Sequence, residues 1–526
     1  MHGFDVYDTT MRDGAQQQGI NLSVADKLTI ARHLDDLGVT HIEGGWPGAN
    51  PNDTEFFARA AQELQLRTAT LAAFGATRRA GGSAATDPQV TALLDAGTPV
   101  VTLVAKSHVG HVERALKTTR EENLAMIADT VAHLVAHGRT VVVDTEHFFD
   151  GYLLDRDYAL ACVSAAVEAG ADCVALCDTN GGMLPGQVHD AVADVIASTG
   201  ARVGIHCHND TGCAVASSMA AVEAGATHVQ GTINGYGERT GNADLVTVVA
   251  NLQLKKGMDL VEPYRLQDAT RIAHAISEVT NFPPFSRQPY VGAGAFAHKA
   301  GLHASAIKVD PDLYQHIDPK DVGNDMRMLV SDMAGRASIE LKSREFGVDL
   351  AGDDEALARV LARVKELEQR GYTFDAADAS FELLLRRLLG EEDLELARIE
   401  SWRIMTDARG GEDALSEATV KVHAGGQRIV ATGEGNGPVN ALDEALRQAF
   451  GVVYPEIAEL ELIDYRVRIL DAAHGTDAIT RVLIETSDGA SSWTTVGVAG
   501  NIVEASWEAL LDGITYGLRR AGVDPR

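Results

Sequence analysis

Eight short apolar runs, rich in β-branched residues, recur through the first half of the chain: FDVYD, THIEGG, TATLAAF, PVVTLVA, RTVVVDT, CVALCDT, VGIHCH and HVQGTI. They begin about 25 to 40 residues apart, the length of one strand, one helix and two loops. The stretches between them are amphipathic. Ser23 heads VADKLTIARHLDDLG, which closes on Gly38, and helices expected over 121–137, 155–169, 185–199 and 211–224 close on Gly138, Gly170, Gly200 and Gly225. A polar residue at the start and a glycine at the stop is helix punctuation. Buried, Val-rich strands alternating with such helices predict a (β/α)8 TIM barrel over residues 1–275.

After Lys256 the pattern changes. A helix is expected over Pro263 to Val279, followed by turn-rich sequence and helical segments near 331–347, 353–371 and 375–391, with Gly-Asp-Asp 352–354 a possible joint. Residues 276–395 read as linker subdomains. From about Leu396 alternating strands lead into the helical PVNALDEALRQAF, and a near copy ends in IVEASWEALLDGITYGL. Two β-rich units, each closing on one helix, predict an internally duplicated α+β regulatory or dimerisation domain over 396–526. GEGNGP and GAGAFAHKAG open no βαβ unit and read as turns rather than phosphate loops.

A net charge of −30 argues against nucleic acid as a partner, because phosphate neutralisation needs clustered Lys and Arg. An anionic substrate then requires a local cation, either a metal ion or Arg12. No run of about 18 apolar residues spans a membrane, and MHGFDVYDTT carries no targeting pattern. The five cysteines fit neither a disulfide framework nor a C-x-x-C zinc site, so a reducing, cytoplasmic setting is expected.

Chemistry in such barrels sits at the carboxyl ends of the strands. Asp13, Glu43, Lys106, Glu146, Asp178, Thr179, His206, His208 and Asn234 all follow their apolar runs and are expected on that rim. Alternate residues of a strand face one way, so His206 and His208, separated by Cys207, aim two imidazoles at one point. Only strand eight separates strand one from strand seven in a closed ring, which allows Asp13 to meet them. One carboxylate and two imidazoles suit a divalent metal: magnesium, manganese or zinc. Lys106 could instead form a Schiff base, which the metal constellation makes redundant.

Three ordered motifs, DTTMRDGAQ, HCHNDTG and NGYGERTGNADL, together resemble the metal-dependent acyl-CoA-condensing TIM barrels. That family includes 2-isopropylmalate, homocitrate and citramalate synthases, with 3-hydroxy-3-methylglutaryl-CoA lyase as a cousin. FAHKAGLHASAI and LYQHIDPKDVG resemble its linker subdomains, and GEGNGPVNALDEAL and TTVGVAGNIVEASWEALLDGI its C-terminal regulatory domain. The resemblance implies Asp13, His206 and His208 as metal ligands, with Asn242 near the metal. It implies Arg12 as the catalytic arginine and Thr179 as binder of a 2-oxo acid carboxylate. Glu146 holds the strand-five carboxylate position, although EHFFDGY departs from the usual motif there. His303 matches the proposed base, with His298 an alternative in the same segment. Tyr314 matches a tyrosine contributed by a neighbouring subunit of a homodimer.

The implied activity is that of an acyltransferase: a Claisen condensation of acetyl-CoA with a 2-oxo acid, then thioester hydrolysis. GGWPGANPNDTEFF, LAAFGATRR and DTEHFFDGYLLD resemble the citramalate-forming branch more than the isopropylmalate-forming one. Pyruvate is therefore the expected acceptor and isoleucine the expected effector of the tail. The alternative is 2-oxoisovalerate, with leucine as effector. A sensor built on a retired barrel would need only the tail, and the survival of Arg12, Asp13, His206, His208 and His303 together argues against it. The lyase is disfavoured because GTINGYGERTGN carries no cysteine.

Overall fold

Eight parallel strands close into a ring in chain order: β1 (Asp5–Asp8), β2 (His41–Gly45), β3 (Thr70–Ala76), β4 (Val100–Lys106), β5 (Thr140–Glu146), β6 (Cys173–Asp178), β7 (Val203–Cys207) and β8 (His228–Gly231). The last pairs back onto the first, with Asp5 opposite His228 and Asp8 opposite Gly231. The structure is a computed structural model and describes residues 3–331, 335–391, 395–407, 414–470 and 478–523.

The strands are buried on both faces because helices cover the outside, which explains apolar runs in place of strict alternation. Val101, Leu103, Val141, Val143, Val174 and Leu176 pack outward against helices such as Val24–Leu37, Arg120–Ala136 and Pro185–Thr199. Inside the ring, Tyr7, Ala72, Val100, Val142 and Cys173 form a separate plug. Full burial of one Val or Leu side chain contributes about 1.5–3 kcal/mol, so this core carries the barrel. Helix boundaries follow local capping. Ser23 and Asp26 form a reciprocal capping box, and Thr119 accepts from the Glu122 amide at 3.2 Å, which starts its helix at Arg120.

The single helix expected over Pro263 to Val279 is two, Pro263–Leu266 and Ala269–Thr280. Asp268 between them leaves helical geometry (φ −98°, ψ 0°) and accepts from Arg271 Nε at 2.7 Å. Gly352 to Asp354 is no break between compact units. Asp353 caps the helix Asp354–Gln369, accepting from the Ala356 amide at 2.9 Å.

The chain forms two compact units, one of residues 1–296 with 317–325 and one of residues 297–316 with 326–526. In the second, the helices Arg336–Glu345, Asp354–Gln369 and Asp378–Leu388 surround Ile339, Val360, Phe374 and Phe381. Two antiparallel three-stranded meanders follow, each with its helix. The first comprises Arg398–Asp407, Leu415–Ala424 and Gln427–Gly435 with helix Pro438–Gly451. The second comprises Glu461–Ile469, Thr480–Ser487 and Ser492–Ala499 with helix Ile502–Arg520. Val420, Val422, Leu446, Val482, Ile484 and Ile514 share one core, so the duplicated halves bury their apolar faces together. Among the described residues no helix is long and apolar enough to cross a membrane, and all five cysteines are free thiols.

Candidate active site

The turn after β1 is built by its own side chains. The Asp8 carboxylate accepts from the Thr10 amide at 2.9 Å and the Thr10 hydroxyl at 2.8 Å. That hydroxyl in turn accepts from the Ile233 amide at 2.8 Å, tying the turn to the segment after β8. The Thr9 carbonyl accepts from the amides of Arg12, Asp13 and Gly14, which curls the backbone and leaves Arg12 and Asp13 facing the ring.

Asp13 is 3% exposed, and its Oδ2 lies 3.3 Å from His206 Nε2 and 3.9 Å from His208 Nε2. Each of the three offers one donor atom within 4.8 Å of the others. Asn242 Nδ2 donates to the other carboxylate oxygen of Asp13 at 3.1 Å and to the Tyr236 carbonyl at 3.0 Å. The loop carrying Asn242 folds tightly on itself. A Cβ at Gly241 (φ +88°) would fall 1.9 Å from the Gly235 carbonyl oxygen, and one at Gly237 (φ +148°) 2.2 Å from Asn242 Nδ2. Glycine is required at both positions.

Arg12 lies behind the ligands. Its Nε donates to Glu43 Oε1 at 2.5 Å and its other end to Asp13 at 3.0 Å, while the guanidinium sits 3.9 Å from the centre of the Phe74 ring. Glu43 also accepts from Tyr7 Oη at 2.8 Å. Asp144, on β5, accepts from Gln230 Nε2 at 2.7 Å. Burial pushes the Glu43 and Asp144 carboxyls above their ordinary range. Burial opposes ionisation of Asp13 too, but Arg12 and the two imidazoles outweigh it and hold that carboxyl well below the carboxylate range. Burial, with His206 beside it, lowers His208 to about 4, leaving it neutral at pH 7 and fit to ligate.

The donor set fits a divalent metal ion. It offers one ionised carboxylate and two imidazole nitrogens in a buried pocket. Asp13, Glu43 and Asp144 all gather around the one guanidinium of Arg12. Asn242 Oδ1 and His208 Nδ1 are buried polar atoms with no hydrogen-bond partner among the described residues. Asp13, His206 and His208 can therefore hold such an ion.

A cavity of about 240 Å³ opens beside them, lined by Arg12, Asp13, Glu146, Thr179, His206 and His208, with Trp46 and Phe74 as an aromatic wall. Trp46 meets Phe74 edge to face at 5.4 Å. Thr179 Oγ1 accepts from the His147 amide at 2.8 Å, which leaves its proton available to a ligand in the cavity. Glu146 is ion-paired with Lys106, and each is about a quarter exposed.

Other rim residues serve the scaffold. Asp178 accepts from the amides of Gly182 and Met183, and Asn234 donates to Ala273 and Ser277 of the helix Ala269–Thr280. Glu43 is wholly buried beneath Arg12 rather than out on the rim. His303 and Tyr314 belong to the second unit, where their rings stack at 4.0 Å, with His298 5.9 Å from His303. Sequence reading passed over Asp144 and Gln230. Asp144 stands two residues before Glu146 on one strand, and that alternation was the available signal.

Residues 4–276 match the family model HMGL-like, residues 290–372 the homocitrate synthase post-HMGL domain-like model, and residues 375–518 the LeuA allosteric (dimerisation) domain. The first alone covers more than half of the chain. The chain belongs to the HMGL-like family. Within it, an (R)-citramalate synthase of Streptomyces coelicolor is 66% identical, over 99% of this chain and 98% of that protein. An (R)-citramalate synthase of Synechocystis is 51% identical over 98% and 96%. A probable 2-isopropylmalate synthase of Methanopyrus kandleri is 34% identical over 98% of each chain. In this HMGL-like chain the duplicated meander-and-helix module thus lies within a domain type named for allostery and dimerisation.

Proposed function

We propose that the protein is an (R)-citramalate synthase. It condenses acetyl-CoA with pyruvate and hydrolyses the resulting thioester, yielding citramalate and free CoA. The observation that carries this reading is full-length identity of 44–66% to five proteins named as (R)-citramalate synthases, against 34% for the probable isopropylmalate synthase.

The cavity supports the reading chemically. Asp13, His206 and His208 would hold a divalent ion, magnesium, manganese or zinc, with Asn242 beside them. When bound, that ion supplies a Lewis acid at the ketone of the 2-oxo acid. Thr179 binds the acid's carboxylate through its free hydroxyl proton. Arg12, held in place by Glu43 and Phe74, stabilises the negative charge that develops as the carbon–carbon bond forms. His303 takes the proton from the acetyl methyl group, in a role that is typically worth about 10²–10⁴-fold in rate. Glu146 orients the reacting groups, and Tyr314 acts from the neighbouring subunit of a homodimer. The tail takes isoleucine as its effector.

A thiol-release assay with acetyl-CoA and a panel of 2-oxo acids tests the assignment. Pyruvate should release CoA, and (R)-citramalate should appear in the product. Isopropyl exceeds methyl by two methylene equivalents, each changing binding by only about 1–3 kcal/mol, so 2-oxoisovalerate should turn over much more slowly rather than not at all. Release with 2-oxoisovalerate and none with pyruvate would make the chain a 2-isopropylmalate synthase.

A further inference from the structure

His206 and His208 look alike in sequence but are held differently. His208 Nδ1 has no hydrogen-bond partner among the described residues, whereas His206 Nδ1 lies 2.9 Å from Gln230 Oε1. An amide can be turned either way, and its surroundings decide which end faces His206. On its other side Gln230 meets two groups at once: Asp144 Oδ1 at 2.7 Å and His228 Nε2 at 3.3 Å. The carboxylate only accepts. His228 Nδ1 lies 3.2 Å from Asp5 Oδ2, also an acceptor, so the His228 proton sits on Nδ1 and its Nε2 accepts as well.

Two acceptors claim the two amide protons of Gln230. Its oxygen must therefore face His206, and His206 must carry a proton on Nδ1 to donate to it. The Nε2 lone pair is then left toward Asp13, where the ion would sit. From His206 to His228 this chain of contacts is buried: His206 and Asp144 are each 4% exposed, and Gln230 and His228 are each 0%. In a dry interior a reversed amide would set Oε1 against the Asp144 carboxylate and leave two acceptors unmet.

We infer that Gln230, oriented by Asp144 and by the Asp5–His228 pair, is a positioning residue that selects the Nε2-ligating tautomer of His206 and thereby sets the affinity of the site for its divalent ion. The inference rests on the metal-site reading above. Outer partners of metal-ligating histidines typically change metal affinity about 10–100-fold when removed.

The test uses full-length, metal-stripped protein titrated with Mn2+ alone, the free ion being followed by its paramagnetic resonance signal. Gln230→Met, apolar and of similar length, should weaken Mn2+ binding about 10–100-fold. Gln230→Glu keeps an acceptor for His206 and can share a proton with Asp144, so it should bind Mn2+ more tightly than the Met variant. A Met variant that binds Mn2+ like the unaltered protein overturns the inference, as does a Glu variant as weak as the Met one. Unaltered protein whose Mn2+ affinity does not respond to Asp13→Ala overturns the metal-site reading itself, and this inference with it. Should the Met variant fail to fold, the imidazole ¹⁵N spectrum of the unaltered protein loaded with Zn2+ decides, with His206 assigned by its loss in His206→Asn. A protonated Nδ1 supports the inference, and a bare Nδ1 overturns it.

Discussion

At the amino-terminal end of the barrel, Asp5 and Asp172 face Arg202, which donates to each at 2.6 Å, and His228 lies 3.2 Å from Asp5. At the carboxyl-terminal end, Asp13, Glu43 and Asp144 crowd around Arg12. In the first network an arginine and an imidazole meet the carboxylates directly, whereas in the second three carboxyls, two of them raised by burial, gather at one guanidinium. Two carboxyls of one strand register the difference. Asp5 is penalised by burial yet held well below the usual range by His228, His41 and Arg202, whereas burial drives Asp8 up to about 7. An end whose carboxylates are held by Arg202 is scaffold. The end that gathers Asp13 and two imidazoles within reach of one point is shaped to receive a cation, as expected where barrel chemistry resides.

The strongest way to break this contrast is Asp13→Ala. It should abolish metal-dependent CoA release while leaving the circular dichroism spectrum unchanged. It should also remove the rise in melting temperature that divalent ion gives the unaltered protein, an effect of about 2.7 kcal/mol at a hundredfold excess over Kd. Full activity in the variant would dissolve the distinction between the two ends.

A second change exploits Asp8. Its folded pKa is raised, so the folded state binds more protons than the unfolded one, and this group's contribution to stability falls as pH rises from about 4 to 7. Between pH 5.5 and 8.5 the loss amounts to about 2 kcal/mol. Asp8→Asn, which keeps an acceptor for Thr10, should therefore melt progressively higher than the unaltered protein as pH climbs through that window. A constant offset across it would show that Asp8 is already ionised at pH 5.5.

Arg202→Met is the smallest of the three. It leaves Asp5 and Asp172 facing each other without their cation. Fully buried pairs lose roughly 3–5 kcal/mol when one partner goes and exposed pairs roughly 0.2–1 kcal/mol. With Arg202 16% exposed and Asp172 25%, a loss of about 1–2 kcal/mol is expected in denaturant unfolding, with kcat little changed. A large fall in kcat with stability intact would mean that this end, too, serves the chemistry.

The eight strands were legible because each is buried on both faces and reads as a Val-rich run, and their helices because Ser23 and a series of closing glycines mark the ends. The gathering of Asp13, His206 and His208 followed from ring order and strand alternation. The inner polar network did not. In a strand buried on both sides an apolar run conceals which residues point inward, so Gln230 carried no distinguishing pattern, Asp144 only its alternation with Glu146, and Glu43 passed for a rim residue. The break at Asp268 was equally hidden, since a polar residue inside a helical period resembles a solvent-facing position. Partners far apart in sequence, such as Glu43 with Tyr7, become visible only once the strands are laid side by side.

The hydrogen bond from Asn242 to Asp13 joins residues 229 positions apart. On a ribosome, a nascent chain that has emerged only through its sixth strand has made Asp13 but neither imidazole, and closing so long a loop is slow. No chain cut short before the seventh strand can capture the ion at this place. Loading must follow closure of the ring, so a product stalled there presents six Val-rich strands without the centre that would stabilise them.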